Sequence, residues 1–186
     1  MKKNFFSVHE GNTIEFINTQ SQNGEKHITS FIEGNYGEIR EETRYSVNDQ
    51  HVVLINVKKY NLEGNSAYII EEIEGFSKEI PYYSNSGSSH YTYTDNGDKI
   101  LSKRITVETK LDKDEPFKST STKNTLIFAE NGTKISEVSV EKNVVDIKGS
   151  NTITHNYKFR QPVSHSQLQD AIKDSDNLVD IQEEQF

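Results

Sequence analysis

The chain has 186 residues, no cysteine, no tryptophan and a formal net charge of −8. These values exclude disulfides, a thiolate nucleophile and any cysteine-based zinc site, and they argue against a nucleic-acid backbone as partner, which selects clustered Lys and Arg. Only 32% of residues are apolar, but nine Tyr and nine Phe fall in patterned runs, which fits a thin core with wet outer faces rather than a disordered chain.

The start, Met1 to Glu10, has the basic opening of a signal peptide. Its apolar stretch ends at once at His9-Glu10, so no signal is read and a cytoplasmic location is expected. No apolar run approaches the ~18 residues of a membrane span. Thr13–Asn18 reads as a strand. Asn23-Gly24 is a turn, and Lys26–Ile32 a strand that stops at Gly34-Asn35. Glu38–Tyr45 is a polar strand, followed by a turn at Asn48-Asp49. His51–Val57 is the most apolar stretch. Its β-branched run predicts a strand covered on both faces. Glu63-Gly64-Asn65 turns again. Ala67–Glu74 fits neither the helical nor the strand period well, and its neighbours favour strand. The acidic run Glu71-Glu72-Ile73-Glu74 reads as a solvated face.

Pro81 ends any strand at Ile80 or confines it to an edge. Ser84–Ser89 is a loop by composition. Next come two copies of one box, Tyr93–Ile100 and Phe128–Ile135. Each has an aromatic, an acidic residue, Asn-Gly, then Lys-Ile. Asn-Gly between apolar runs predicts two-residue type I′ hairpins, because both residues tolerate positive φ. Strands at Ile100–Val107, Thr125–Phe128, Ile135–Val140 and Thr152–Phe159 follow. Ile135, Val138 and Val140 share one side only if a bulge intervenes. Beyond Pro162, Ser164 and Gln167 form a capping-box pattern, and Leu168, Ala171, Ile172, Ser175 and Val179 share a helical face. Asp174–Asn177 interrupts it, and the tail from Gln182 reads as frayed and acidic.

The expected fold is mainly β: an antiparallel meander of about ten strands over residues 1–160, forming a sandwich or partly closed barrel. A C-terminal helix and acidic tail occupy 161–186.

Two sets of residues stand out for function. Tyr82, Tyr83, Tyr91 and Tyr93 bracket the Ser-rich segment, and Tyr is enriched at binding surfaces for its large rigid area and polar tip. His27-Ile28-Thr29 and His90-Tyr91-Thr92 are two His-x-Thr pairs. They resemble the paired signature of 2H phosphoesterases over those six residues. That resemblance implies a metal-free phosphodiesterase, with His27 and His90 as base and acid and Thr29 and Thr92 holding phosphate oxygens. The chain departs from the pattern in having Ser30 after the first pair and no helix between the pairs. His9, His51, His155 and His165 show no metal-ligand spacing, and no cofactor motif is present. The reading favoured by the sequence is a non-enzymatic protein-interaction module, accessory, structural or inhibitor-like. Its Lys-, Asn- and Ile-rich composition suits a bacterial or phage source. Its partner would be a protein or a second copy of the chain. The alternatives are a carrier of a small apolar ligand in a barrel lumen, with Val52–Val57 lining it, and the phosphodiesterase.

Overall fold

The computed structural model describes the backbone of residues 4–7, 18–22, 25–33, 38–47, 52–64 and 66–185, with side chains described over 52–64 and 66–179. The expected strand Thr13–Asn18 (except Asn18), the turns at Asn23-Gly24, Gly34-Asn35 and Asn48-Asp49, and His9 and His51 lie outside the described residues.

Twelve strands are described: β1 (Asn4–Ser7), β2 (Asn18–Gln22), β3 (Glu25–Glu33), β4 (Glu38–Val47), β5 (Val52–Glu63), β6 (Ser66–Ile80), β7 (Tyr83–Tyr93), β8 (Lys99–Leu111), β9 (Ser119–Phe128), β10 (Ile135–Asp146), β11 (Gly149–Val163) and β12 (Leu178–Gln185). One short helix, α1 (Leu168–Ala171), precedes β12. The strand path is an antiparallel meander from β2 to β12 that does not close on itself, and β1 pairs with β6 off that path. The chain divides into two compact units, Met1–Lys78 with Ser88–Ile100, and Glu79–Gly87 with Leu101–Phe186.

In the first unit the core is small: Tyr60, Ala67 and Ile69, with Leu62 and Tyr93 packed against them. A register shift follows Lys59, where Lys59 faces Glu71 but Tyr60 faces Ile69. Ile70 is the extra residue, so the inward positions run Ala67, Ile69, Glu72 instead of alternating strictly. That is why this segment fits no simple period. It also buries Glu72, which is 6% exposed, so the acidic run is not uniformly a solvated face. The Val52–Val57 run is not covered on both faces. None of its residues is buried and Leu54 is 43% exposed.

In the second unit the core comprises Ile135, Val138, Phe159, Val163, Ala171 and Leu178. The expected bulge lies between Ile135 and Glu137. It turns Ile135 and Val138, three residues apart, to the same side. Complete burial of each large apolar side chain contributes about 1.5–3 kcal/mol.

The C-terminal helix is a single α turn entered through a 3₁₀ turn at His165–Gln167. Ser164 does not cap it. Its hydroxyl meets Ser166 instead. The helix stops because Asp174 accepts from the Asp176 N–H, and Asn177 pairs through its side chain with both backbone groups of Gln161 on β11. Short polar side chains compete with helical hydrogen bonds in this way. The chain then continues as strand β12, so the segment from Gln182 to Gln185 is strand rather than a frayed tail. Val179 belongs to that strand, not to a helix.

The Ser-rich segment also departs from expectation. Ser84–Ser89 lies within β7, since pairing context outweighs the weak strand preference of its residues.

The Asn-Gly boxes do form hairpins, with a different turn. Gly97 (φ 82°) and Gly132 (φ 69°) are left-handed, while Asn96 and Asn131 are not. The Gly97 N–H bonds the Thr94 carbonyl and the Gly132 N–H the Ala129 carbonyl. Each is a β-turn whose fourth residue is a left-handed glycine. The first loop closes with the Thr94 N–H on the Asp98 carbonyl, the three-residue loop with a glycine bulge, and the second with the Ala129 N–H on the Lys134 carbonyl, one residue longer.

Candidate functional site

Glu72 is the one buried charged residue among the described residues. Asn56 Nδ2 donates to its Oε1 at 2.8 Å, the Tyr93 hydroxyl donates to Oε2 at 2.6 Å, and Lys99 Nζ lies 3.0 Å from Oε2. Lys99 also pairs with Glu74, and its ammonium sits 4.1 Å from the centroid of the Tyr91 ring. Burial pushes the Glu72 carboxyl up. The bonds from Tyr93, Asn56 and Lys99, with the lysine charge, outweigh it and hold the group below its usual range. Burial, then the bond to Glu72 and its charge, push the Tyr93 phenol up to about 12. Lys99 is lowered by burial but held above its ordinary value by Glu74 and Glu72. The network is saturated, and no buried side-chain nitrogen or oxygen among the described residues lacks a partner. Such a fully bonded cluster holds strands in place.

Tyr91 and Tyr93 belong to the Glu72 network of the first unit. Tyr83 begins β7 and Tyr82 precedes it, both in the second unit. His90 Nε2 lies 3.1 Å from the Ser88 hydroxyl, and Thr92 is exposed on the same side of the strand. His27 and Thr29 are in β3, and their side chains lie outside the described residues. β4, β5 and β6 stand between β3 and β7 in the strand order, a path of ~19 Å along the sheet at ~4.8 Å per spacing.

The second unit has a feature that sequence reading missed. The register runs Leu111–Ser119–Val145–Ser150 across β8 to β11, and the Leu111 N–H bonds the Tyr82 carbonyl. The turns Pro81-Tyr82, Asp112–Lys118 and Ile147-Lys148 therefore project from one end of this unit. Each carries a large apolar side chain into solvent: Tyr82 is 48% exposed, Phe117 74% and Ile147 81%, with Leu111 47% exposed beside them. The tips are built rather than loose. Asp112 accepts from the N–H groups of Asp114 and Glu115, which hold its carboxyl below the usual range. The Lys118 N–H bonds the Glu115 carbonyl and the Asp112 N–H the Lys118 carbonyl. Asp146 ties the Lys148 N–H at 2.7 Å. Tyr82 has φ 66°, and it is the one described non-glycine residue in the left-handed region. The next turn at the opposite end of the unit, Glu130–Thr133, carries only polar residues and glycine. The sequence signal for the apolar end was available: Pro-Tyr, Pro-Phe and Asp-Ile-Lys put bulky apolar residues where turns ordinarily place polar ones.

A trough of about 250 Å³ crosses β9 to β11, lined by Thr125, Ile127, Glu137, Ser139, Asn156 and Lys158. Its lining is mixed, and its volume is below the ~300–1,000 Å³ usual for small-molecule pockets. No three metal-ligating side chains converge among the described residues, and no described helix is long and apolar enough to cross a membrane. Neither a family model, nor a curated protein, nor a solved structure matches the chain.

Proposed function

We propose that the chain is a non-enzymatic protein-interaction module and that the apolar end of its second unit, Tyr82, Leu111, Phe117 and Ile147, is the contact surface. The observation that carries the reading is the exposure of Phe117 and Ile147 at the tips of hydrogen-bonded turns. Large apolar side chains held rigidly in water at neighbouring points mark binding surfaces, because their ordering cost is already met before a partner arrives. Tyr82, and with it the adjacent Tyr83, stays in the proposed surface. Tyr91 and Tyr93 are assigned to stability through Glu72.

The test is capture from the native host with the tagged chain, in parallel with a Phe117→Ser, Ile147→Ser double variant. A band retained by the parent and lost by the variant is expected, with the far-UV spectra superimposable. Equal capture by both chains would remove the surface.

A further inference from the structure

Resting on the interaction reading, we infer that the partner seated on this apolar end is a second copy of the same chain, docked end to end about a two-fold axis.

Charge is the first argument. The chain carries −8 overall, so two copies repel over most of their surfaces. The turn segments 80–83, 110–118 and 146–149 are different. Lys110, Lys113, Lys118 and Lys148 are matched by Asp112, Asp114, Glu115 and Asp146, so this end is neutral. A two-fold contact brings each segment against itself or its neighbours. Interspersed signs let the lysines of one copy face carboxylates of the other. A basic or acidic partner gains nothing from a surface balanced in this way.

Area is the second argument. Four side chains exposed by 48%, 47%, 74% and 81% present on the order of 500 Å² of apolar surface, taking about 200 Å² for each full side chain. Two copies bring about twice that. The polar atoms of three turns per copy bring the total into the ~1,200–2,000 Å² of specific interfaces. The row of tips spans four strand spacings, ~19 Å, a width suited to a patch of that size.

The geometry also gives the contact its anchors. Phe117 and Ile147 are the most exposed large apolar side chains among the described residues. Tyr82 lies beneath Lys113, whose ammonium is 5.7 Å from the ring centroid.

Sedimentation equilibrium of the purified full chain, from low micromolar to near-millimolar, tests the inference. The weight-average mass should rise from 21.3 kDa toward twice that value. Raising salt should strengthen association, because it screens the net repulsion and costs a neutral interface little. Phe117→Ser with Ile147→Ser should weaken dimerisation at least ~tenfold, the loss of ~1.4 kcal/mol. Ile147→Lys alone, at a position already in solvent, is the second variant and should weaken it without disturbing the fold. A chain that stays monomeric throughout overturns the inference. So does a dimer indifferent to both variants, which would form through another face. Binding of the monomer to phosphatidylcholine vesicles, lost in the variants, would also overturn it and give the apolar end to a bilayer. If the chain is monomeric but host capture still depends on Phe117 and Ile147, the inference falls and the interaction reading stands. If that capture is also indifferent, both fall.

Discussion

The Tyr93 hydroxyl donates to Glu72 Oε2 across 2.6 Å, while the ring of the same tyrosine packs against the Tyr60–Ala67–Ile69 core. One side chain thus ties the polar network to the apolar cluster. Tyr93→Phe keeps the packing and removes the bond. The carboxylate keeps Asn56 and Lys99, so the expected cost is about 1 kcal/mol. Glu72→Ala removes the acceptor shared by three donors and should cost about 2–4 kcal/mol, toward the range for breaking a buried pair. Urea unfolding of the parent and both variants checks the order. A Tyr93→Phe loss equal to the Glu72→Ala loss would show that the network does not depend on its carboxylate.

The network also sets a pH window. Glu72 has a lowered folded pKa, so its contribution is present above its ordinary 4.5 and is lost as pH falls through the lowered value. Lys99 and Tyr93 have raised folded pKa values. Their contributions are present below 10.5 and 10.0 respectively, and are lost as pH rises further, Tyr93's between 10.0 and about 12. Stability should be flat in this respect from about pH 5 to pH 10. In Glu72→Gln the fall on both sides should be shallower than in the parent. Thermal unfolding midpoints taken below about pH 5 and above about pH 10, against the plateau between them, give the comparison.

Gly64 has φ 59°, and a Cβ built there meets nothing within 4 Å. The penalty for a side chain is therefore conformational alone. Gly64→Ala should cost about 1–2 kcal/mol, and Gly64→Asn less, because Asn tolerates the left-handed region. Differential scanning calorimetry of the two variants measures the gap. Equal losses would mean that the turn relaxes out of the left-handed region.

Much of the fold was legible because hairpin chemistry is local. The boxes at Asn96-Gly97 and Asn131-Gly132 marked the turns, although the glycines alone took positive φ. The bulge near Ile135 was readable because Ile135 and Val138 could not otherwise share a side. The bulge at Ile70 was present in the same kind of signal, a broken period, but it hid a buried glutamate inside an acidic run. Composition misled where pairing decides: Ser84–Ser89 is strand. The C-terminal helix and its interruption at Asp174–Asn177 were legible in the capping and polar residues, but its shortness was not, because the helical face from Leu168 to Val179 continues on paper past the turn where the chain becomes strand. The candidate surface was harder to read. Tyr82, Phe117 and Ile147 lie as much as 65 residues apart in number, and only the strand register brings their turns to one end.

Tyr82 gives the sharpest separation of stability from function. Its φ of 66° is unfavourable for a residue with a Cβ, by roughly 1–2 kcal/mol relative to an ordinary conformation. It follows Pro81, and Pro then a left-handed residue is the pattern of a type II turn, which favours Gly or Asn at this second position. The side chain offers little in return within the fold, since it is nearly half exposed. Tyr82→Gly should therefore leave the chain as stable as the parent or raise its stability by up to about 1 kcal/mol. If the strained tyrosine is kept for contact, the same change should weaken association at the apolar end several-fold. Denaturant midpoints and sedimentation on the same preparations read the two effects. A variant that is less stable by more than about 1 kcal/mol would place Tyr82 among the structural residues. A variant equally stable and equally associating would remove it from the contact surface.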